Sequence, residues 1–287
     1  MYIQNQLHFI NNCCMNNKKS LKRIQRDIAN IIKDDSLKHQ DKIFCLFNDS
    51  DIYDVKALVV GPTETPYEGG FFFIRLRFSD VHPQKPPTAK LQTLSPSVRF
   101  NPNLYEGGKV CLSILGTWDG PGWTPCMTMT TVLTSIQSLM SEMPYRNEPG
   151  HDNDSDKLCE QYNNCIEYHN YRVAIIGMLK KPAVGFEDFA PIMEKLFVKD
   201  YESYSKRIEK LRKNKQGKSC TAPSPFTNMS ASCDYKSLEK EMQDLYNTLK
   251  PKYADIIEQE NNRMDMDEPV RPNFGKKTKE GTMFFSN

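Results

Sequence analysis

The sequence predicts an α+β fold, and three observations predict it. An amphipathic helix leads, four short strand-like runs follow with brief links between them, and several helical patterns close the chain. Its 287 residues suit one domain with extensions, or two domains.

Residues 1–17 are rich in Asn and read as a tail. Residues 18–33 read as a helix, because Leu21, Ile24, Ile28 and Ile31 recur on one face. Lys18, Lys19, Lys22, Arg23 and Arg26 surround that face, either as a solvated surface or as a docking site. Residues 1–42 hold 8 basic and 4 acidic side chains, a net of +4, against +2 for the whole chain.

Strands are expected at 43–48, 54–60, 70–78 and 88–94. Short connections favour an antiparallel meander. Along the third strand Phe71, Phe73, Arg75 and Arg77 alternate with Phe72, Ile74, Leu76 and Phe78; Leu76 and Phe78 face inward and the arginines outward. Residues 95–126 are punctuated by Pro and Gly, yet Phe100, Tyr105, Leu112, Trp118 and Trp123 make them too apolar for disorder. Such a stretch reads as a packed, functional loop region.

Helical spacing returns at 127–142, at 159–180 ahead of Pro182, at 186–213 and at 235–260, with a Ser-, Pro-, Gly- and Thr-bearing linker at 214–234. The polar C-terminal end reads as disordered.

Composition excludes several classes. No run approaches the ~18 apolar residues a membrane span needs. The small net charge argues against a nucleic-acid partner. The N-terminus does not read as a secretory signal. Nine scattered cysteines fit a reducing compartment, so the expectation is cytosol, with the nucleus also open. The sequons at Asn48, Asn153 and Asn228 are then idle. Gly107-Gly108-Lys109 lacks the rest of a phosphate-binding loop. Cys159, Cys165 and His169 lie at offsets that do not converge, and Cys220 and Cys233 lack a paired spacing, so no metal site is expected.

Cys111 remains, in Asn-Pro-Asn-Leu-Tyr-Glu-Gly-Gly-Lys-Val-Cys from Asn101. A thiol can carry an acyl group as a thioester, and an amide side chain such as Asn103 can hydrogen-bond a developing oxyanion. The same pattern also fits a core thiol.

This stretch resembles the active-site region of ubiquitin-conjugating enzymes, where an Asn stands eight residues before the Cys, as Asn103 does here. Three further elements match: His82-Pro83-Gln84-Lys85-Pro86-Pro87, the Pro66 to Phe72 element, and Trp123-Thr124-Pro125. Cys-Leu-Ser-Ile-Leu-Gly-Thr-Trp from Cys111, Ser-Ile-Gln-Ser-Leu-Met from Ser135, Asn-Glu-Pro-Gly from Asn147 and a long C-terminal extension resemble the family's Z subgroup. Asn101 replaces the family's usual His, which holds the loop, and His82 replaces a packing Tyr.

The resemblance implies the conjugating-enzyme (UBC) fold: a core at 18–182, a helical extension at 183–265 and a disordered tail at 266–287. It implies that Cys111 accepts ubiquitin or a ubiquitin-like modifier from an activating enzyme and passes it to a lysine of a protein substrate, normally with a ubiquitin ligase. Asn103 would stabilise the oxyanion or brace the loop. Glu148 would orient the lysine, with Asn147 as the other candidate. Lys18, Lys19, Lys22, Arg23 and Arg26 would meet the activating enzyme, and Phe71 and Pro125 a ligase. No cofactor is expected, because ATP is used upstream. A catalytically silent ubiquitin-binding module of the same fold would lack the Cys. A cysteine protease would need a histidine beside it.

Overall fold

The computed structural model describes residues 19–48 and 50–267, with side chains to residue 258. Lys18 and the two tails lie outside the described residues. Helix α1 (Lys19–Lys33) buries Leu21, Ile24, Ile28 and Ile31, the face its spacing predicts, and also Ile32. A short helix α2 (Asp35–His39) follows, its start capped by Asp34, whose side chain accepts the Leu37 amide.

Strands β1 (Ile43–Phe47), β2 (Asp54–Val60), β3 (Phe71–Arg77) and β4 (Thr88–Leu91) form the expected antiparallel meander in the order β1-β2-β3-β4. The pairs Ile43↔Val59, Val59↔Phe72 and Ile74↔Leu91 set its register. One face therefore collects Ile43, Cys45, Val55, Ala57, Val59, Phe72, Ile74, Leu76 and Leu91, all buried. Helix α3 (Met129–Ser138) buries Met129, Val132, Leu133 and Ile136 and carries a capping box between Thr128 and Thr131.

The opposite face is split. Its outer end carries Arg75 and Arg77, exposed as expected, with Arg75 gripping Asp54 through two bonds of 2.8 and 2.6 Å. Its inner end carries Phe71 and Phe73, both fully buried. The C-terminal extension covers Phe73: the Phe186 and Phe189 rings lie 4.9 and 5.7 Å from its ring.

Helix α4 (Asp156–His169) continues as a π-helix over Asn170–Gly177 and one last α turn, Met178–Lys180. Within the π stretch, Asn170 is buried and donates to the Glu68 carbonyl at 3.0 Å. A Cβ at Gly70 would fall 2.0 Å from the Asn170 side-chain oxygen, so this contact needs glycine there.

The single helix expected over 186–213 is two, α5 (Ala190–Lys199) and α6 (Tyr201–Lys215), broken at Asp200. Arg207 of α6 ties the extension to the core through Glu68, the Thr65 carbonyl and Glu167. Residues 214–234 are not a linker. They fold into a hairpin of β5 (Ser219–Thr221) and β6 (Ser230–Ser232), with Cys220 opposite Ala231. Helix α7 (Tyr235–Asp267) packs on α5 and α6, with Tyr201 and Tyr246 stacked at 3.7 Å. One hydrophobic cluster runs from Leu21 to Tyr253, so extension and core share it. Among the described residues no helix is long and apolar enough to cross a membrane.

Candidate active site

The loop after β4 is held by a relay of polar side chains. Buried Tyr67 donates to the Phe100 carbonyl at 2.5 Å, and Asn101 donates to Tyr67 Oη at 3.2 Å and to the Leu139 carbonyl at 2.7 Å. Asn101 Oδ1 accepts the Asn103 amide at 2.9 Å. Asn101 thus performs the loop-holding expected of the residue at its position.

Asn103 and Cys111 are brought together twice over. Asn103 Nδ2 donates to the Cys111 carbonyl at 3.0 Å, and the Cys111 amide donates to the Asn103 carbonyl at 2.9 Å. The turn between them is pinned to β4, where the Leu91 amide meets the Gly108 carbonyl at 2.8 Å. Gly108 has φ of +85°, and a Cβ there would sit 2.4 Å from the Leu91 carbonyl oxygen, so both conformation and space demand glycine.

The other flank of Cys111 is clipped by Thr117, a role that its place in the Cys-Leu-Ser-Ile-Leu-Gly-Thr-Trp string did not disclose. Its hydroxyl donates to the Val110 carbonyl at 2.8 Å and accepts the Leu112 amide at 3.0 Å. Gly116 turns the chain back in the left-handed region to place it. Cys111 is 1% exposed, and the Asn103 Oδ1 is buried without a partner.

Glu148 follows the turn Pro144–Asn147 and faces Arg99 at 3.8 Å. Arg99 lies 3.7 Å over the Tyr105 ring and 4.9 Å over that of Phe226. Asn147 donates to the Leu139 carbonyl at 3.2 Å, the same acceptor that Asn101 uses. A hydrogen-bond chain therefore links the Glu148 turn to Cys111 through Asn147, Asn101 and Asn103.

The expected docking residues separate into three kinds. Lys19, Lys22 and Arg26 are exposed on α1. Arg23 is instead structural: it donates to Asp27, to the Pro125 carbonyl at 2.6 Å and to the Met127 carbonyl at 2.5 Å. Phe71 is corrected outright, since it is 0% exposed and cannot meet a partner. Pro125 is exposed, and Trp123 beside it donates to the Pro83 carbonyl at 2.6 Å, joining two proline loops into one surface.

No described histidine hydrogen-bonds Cys111. His82 packs edge-on against Phe78 at 4.8 Å, and burial pushes its pKa down. His151 is engaged by Asp154 at 2.7 Å and by the Tyr145 hydroxyl at 3.0 Å. His169, the last residue of α4, is buried. This is not the arrangement a cysteine protease requires.

The site is a cysteine braced by an asparagine eight residues upstream, beside a four-stranded meander. The family model for "Ubiquitin-conjugating enzyme" matches residues 23–175, and the chain belongs to that family. Among its relatives, Ubiquitin-conjugating enzyme E2 Z of Homo sapiens is 40% identical over 253 residues, covering 86% of this chain and 67% of that one. E2 Z of Xenopus tropicalis is 40% identical over 237 residues, covering 80% and 72%. A solved structure of human ubiquitin-conjugating enzyme E2 G1 is 30% identical, with a TM-score of 0.37 over 44% of this chain and 97% of that one. The fold is the conjugating-enzyme fold with a C-terminal helical extension, and the chain is a transferase of the ubiquitin-conjugating class.

Proposed function

We propose that Cys111 is the thiol that carries ubiquitin or a ubiquitin-like modifier. The paired hydrogen bonds between Asn103 and Cys111 are the observation that carries this reading. The Cys111 thiolate attacks the thioester carbonyl on the activating enzyme, a tetrahedral oxyanion forms, and the activating enzyme's thiolate leaves. A substrate lysine amine then attacks the new thioester, loses a proton to solvent and expels the Cys111 thiolate, leaving an amide bond.

Asn103 braces the carbonyl of Cys111 in the resting chain, and its amide serves as a donor for the oxyanion when the loop carries an acyl group. Glu148 orients the incoming lysine after exchanging its partner Arg99. Lys19, Lys22 and Arg26 meet the activating enzyme, and the joined Pro83 and Pro125 loops meet a ligase. ATP is consumed by the activating enzyme, so this chain needs no nucleotide.

The test is charging with activating enzyme, ATP and a panel of modifiers. The wild type should form a thiol-sensitive adduct, Cys111→Ser an adduct resistant to reducing agent, and Cys111→Ala none. An adduct on Cys126 or Cys159 would sink the assignment.

A further inference from the structure

Three cysteines that are far apart in sequence meet between α4 and the hairpin. Cys220 and Cys233 stand on the paired strands β5 and β6 or their margin, and the Cys233 Sγ lies 3.4 Å from that of Cys220. Cys165 reaches them from α4, its Sγ also 3.8 Å from the Met229 carbonyl. His169, one helical turn further along α4, is buried with both ring nitrogens unpartnered. Among the described residues these donors do not make a group that could hold a metal ion.

The pair is not sealed in the core. A surface cavity of about 350 Å³ is lined by Cys220, Cys233, Lys215 and Lys218, wide enough to admit a small solute. Hydrogen bonds from Cys165 and Cys233 hold the Cys220 thiol well below its ordinary range, and the same bonds push those two thiols up. Cys220 thus has two thiol neighbours, with the Cys233 sulfur 3.4 Å away. That is the arrangement of a reactive cysteine beside a resolving one.

We propose that Cys220 and Cys233 form a peroxide-oxidisable pair that closes a reversible disulfide across the hairpin, independent of the chemistry at Cys111. The Cys220 thiolate attacks hydrogen peroxide and becomes a sulfenic acid, while the departing hydroxide takes a proton and leaves as water. The Cys233 sulfur then attacks the Cys220 sulfur. The new S–S bond forms as the hydroxyl leaves with the Cys233 proton as a second water. Two thiols and one peroxide give one disulfide and two waters, and a dithiol reductant reverses the change.

The two sulfurs are already 3.4 Å apart, and the strands that carry them are held in register, Cys220 facing Ala231. The Cys233 amide donates to the Lys218 carbonyl at 2.9 Å, continuing the β5–β6 ladder. The closed bond would fasten the hairpin under α4, whose Gln161 already holds the Thr221 carbonyl at 2.8 Å.

The test treats the full chain carrying Cys111→Ala with hydrogen peroxide, alkylates the remaining thiols and maps the peptides. The Cys220 and Cys233 peptides should appear cross-linked and be released by dithiothreitol, before exposed Cys126 is oxidised. In Cys233→Ser, Cys220 should instead be trapped as a sulfenic acid by dimedone. Free Cys220 and Cys233 at doses that consume Cys126 would overturn the proposal, as would a Cys165–Cys220 cross-link. So would stoichiometric zinc in the purified chain, with these thiols blocked until a chelator is added.

Discussion

Asp27 of α1 accepts the first amide of α3: its Oδ2 lies 3.2 Å from the Met129 nitrogen, while its Oδ1 takes the Arg23 Nε–H at 3.0 Å. A carboxylate at a helix N-terminus is favoured by the unsatisfied amides there. Arg23 completes the clamp by binding the Pro125 and Met127 carbonyls. Asp27→Ala should therefore lower stability by about 1–3 kcal/mol, read from a denaturant titration. An unchanged midpoint would remove Asp27 from the clamp.

The same geometry divides the basic face of α1. Lys19→Glu with Lys22→Glu should raise the apparent KM for the activating enzyme and leave the melting temperature unchanged, because exposed charges act mainly on encounter. Arg23→Glu should lower the melting temperature as well. Charging titrations at low and high salt, beside thermal melts, separate the two effects. Normal charging by the double variant would return those lysines to a solvated face.

Asn103→Ala should slow discharge onto free lysine by roughly 10²–10³ if its amide serves the oxyanion. Charging should fall less, because the lost bond to the Cys111 carbonyl costs about 1 kcal/mol and the backbone pair remains. Single-turnover charging and discharge measure the two steps. Equal losses in both would leave loop bracing as the whole of its role.

The sequence disclosed the strands, the buried stripe of α1 and the Asn103–Cys111 spacing, because each is written in local period or adjacency. The inner end of the sheet was not legible in that way. Phe71 and Phe73 share a face with the outward arginines, yet both are buried, Phe73 against the rings of Phe186 and Phe189. The role of Asp27 was not legible, because its partner Met129 lies 102 residues away. The π stretch at Asn170–Gly177 escaped a reading built on a period of 3.6. The thiols of Cys165, Cys220 and Cys233 meet only once the hairpin has folded onto α4.

Cys126 is exposed and Cys111 is 1% exposed. Under limiting iodoacetamide Cys126 should be alkylated first, and Cys111 only as its loop opens. Thr117→Val, which removes the hydroxyl clip on Val110 and Leu112, should speed alkylation of Cys111 and leave Cys126 unaffected. Peptide mapping over a time course reads both rates. Equal rates for the two cysteines in the wild type would contradict the burial.

The Arg75 fork beside Asp54 holds that carboxyl below the usual carboxylate range, with Arg77 adding to the effect at 3.4 Å. A depressed folded value means that the folded state binds its proton later than the unfolded chain does. The stabilisation is therefore complete above the unfolded pKa of about 3.9 and is lost as pH falls through the folded value. Arg75→Met should flatten the acid limb of the stability profile below about pH 4. It should also lower stability at neutral pH. An acid limb as steep as that of the wild type would show that Asp54 does not contribute to it.

The extension should be inseparable from the core, and the sheet is the reason. Phe73 and Phe189 are both fully buried, and Phe186 is 2% exposed, so removing the extension would open the inner end of β2 and β3 to water. Phe189→Ala should cost about 3–5 kcal/mol, the usual loss for a buried aromatic ring. A chain ending at residue 182 would lose both rings and the Arg207 anchor on Glu68 and Glu167. It should bind a hydrophobic dye, self-associate and melt at lower temperature, although Cys111, Asn103 and Thr117 are all present. Arg207→Met tests the polar half of the same interface without removing a ring, and it should weaken the fold because Glu68 and Glu167 lose their shared cation. Dye binding, size-exclusion chromatography and thermal melts follow each variant. A truncated chain that stays monomeric, binds no dye and melts with the full protein would show that the core is complete without its extension.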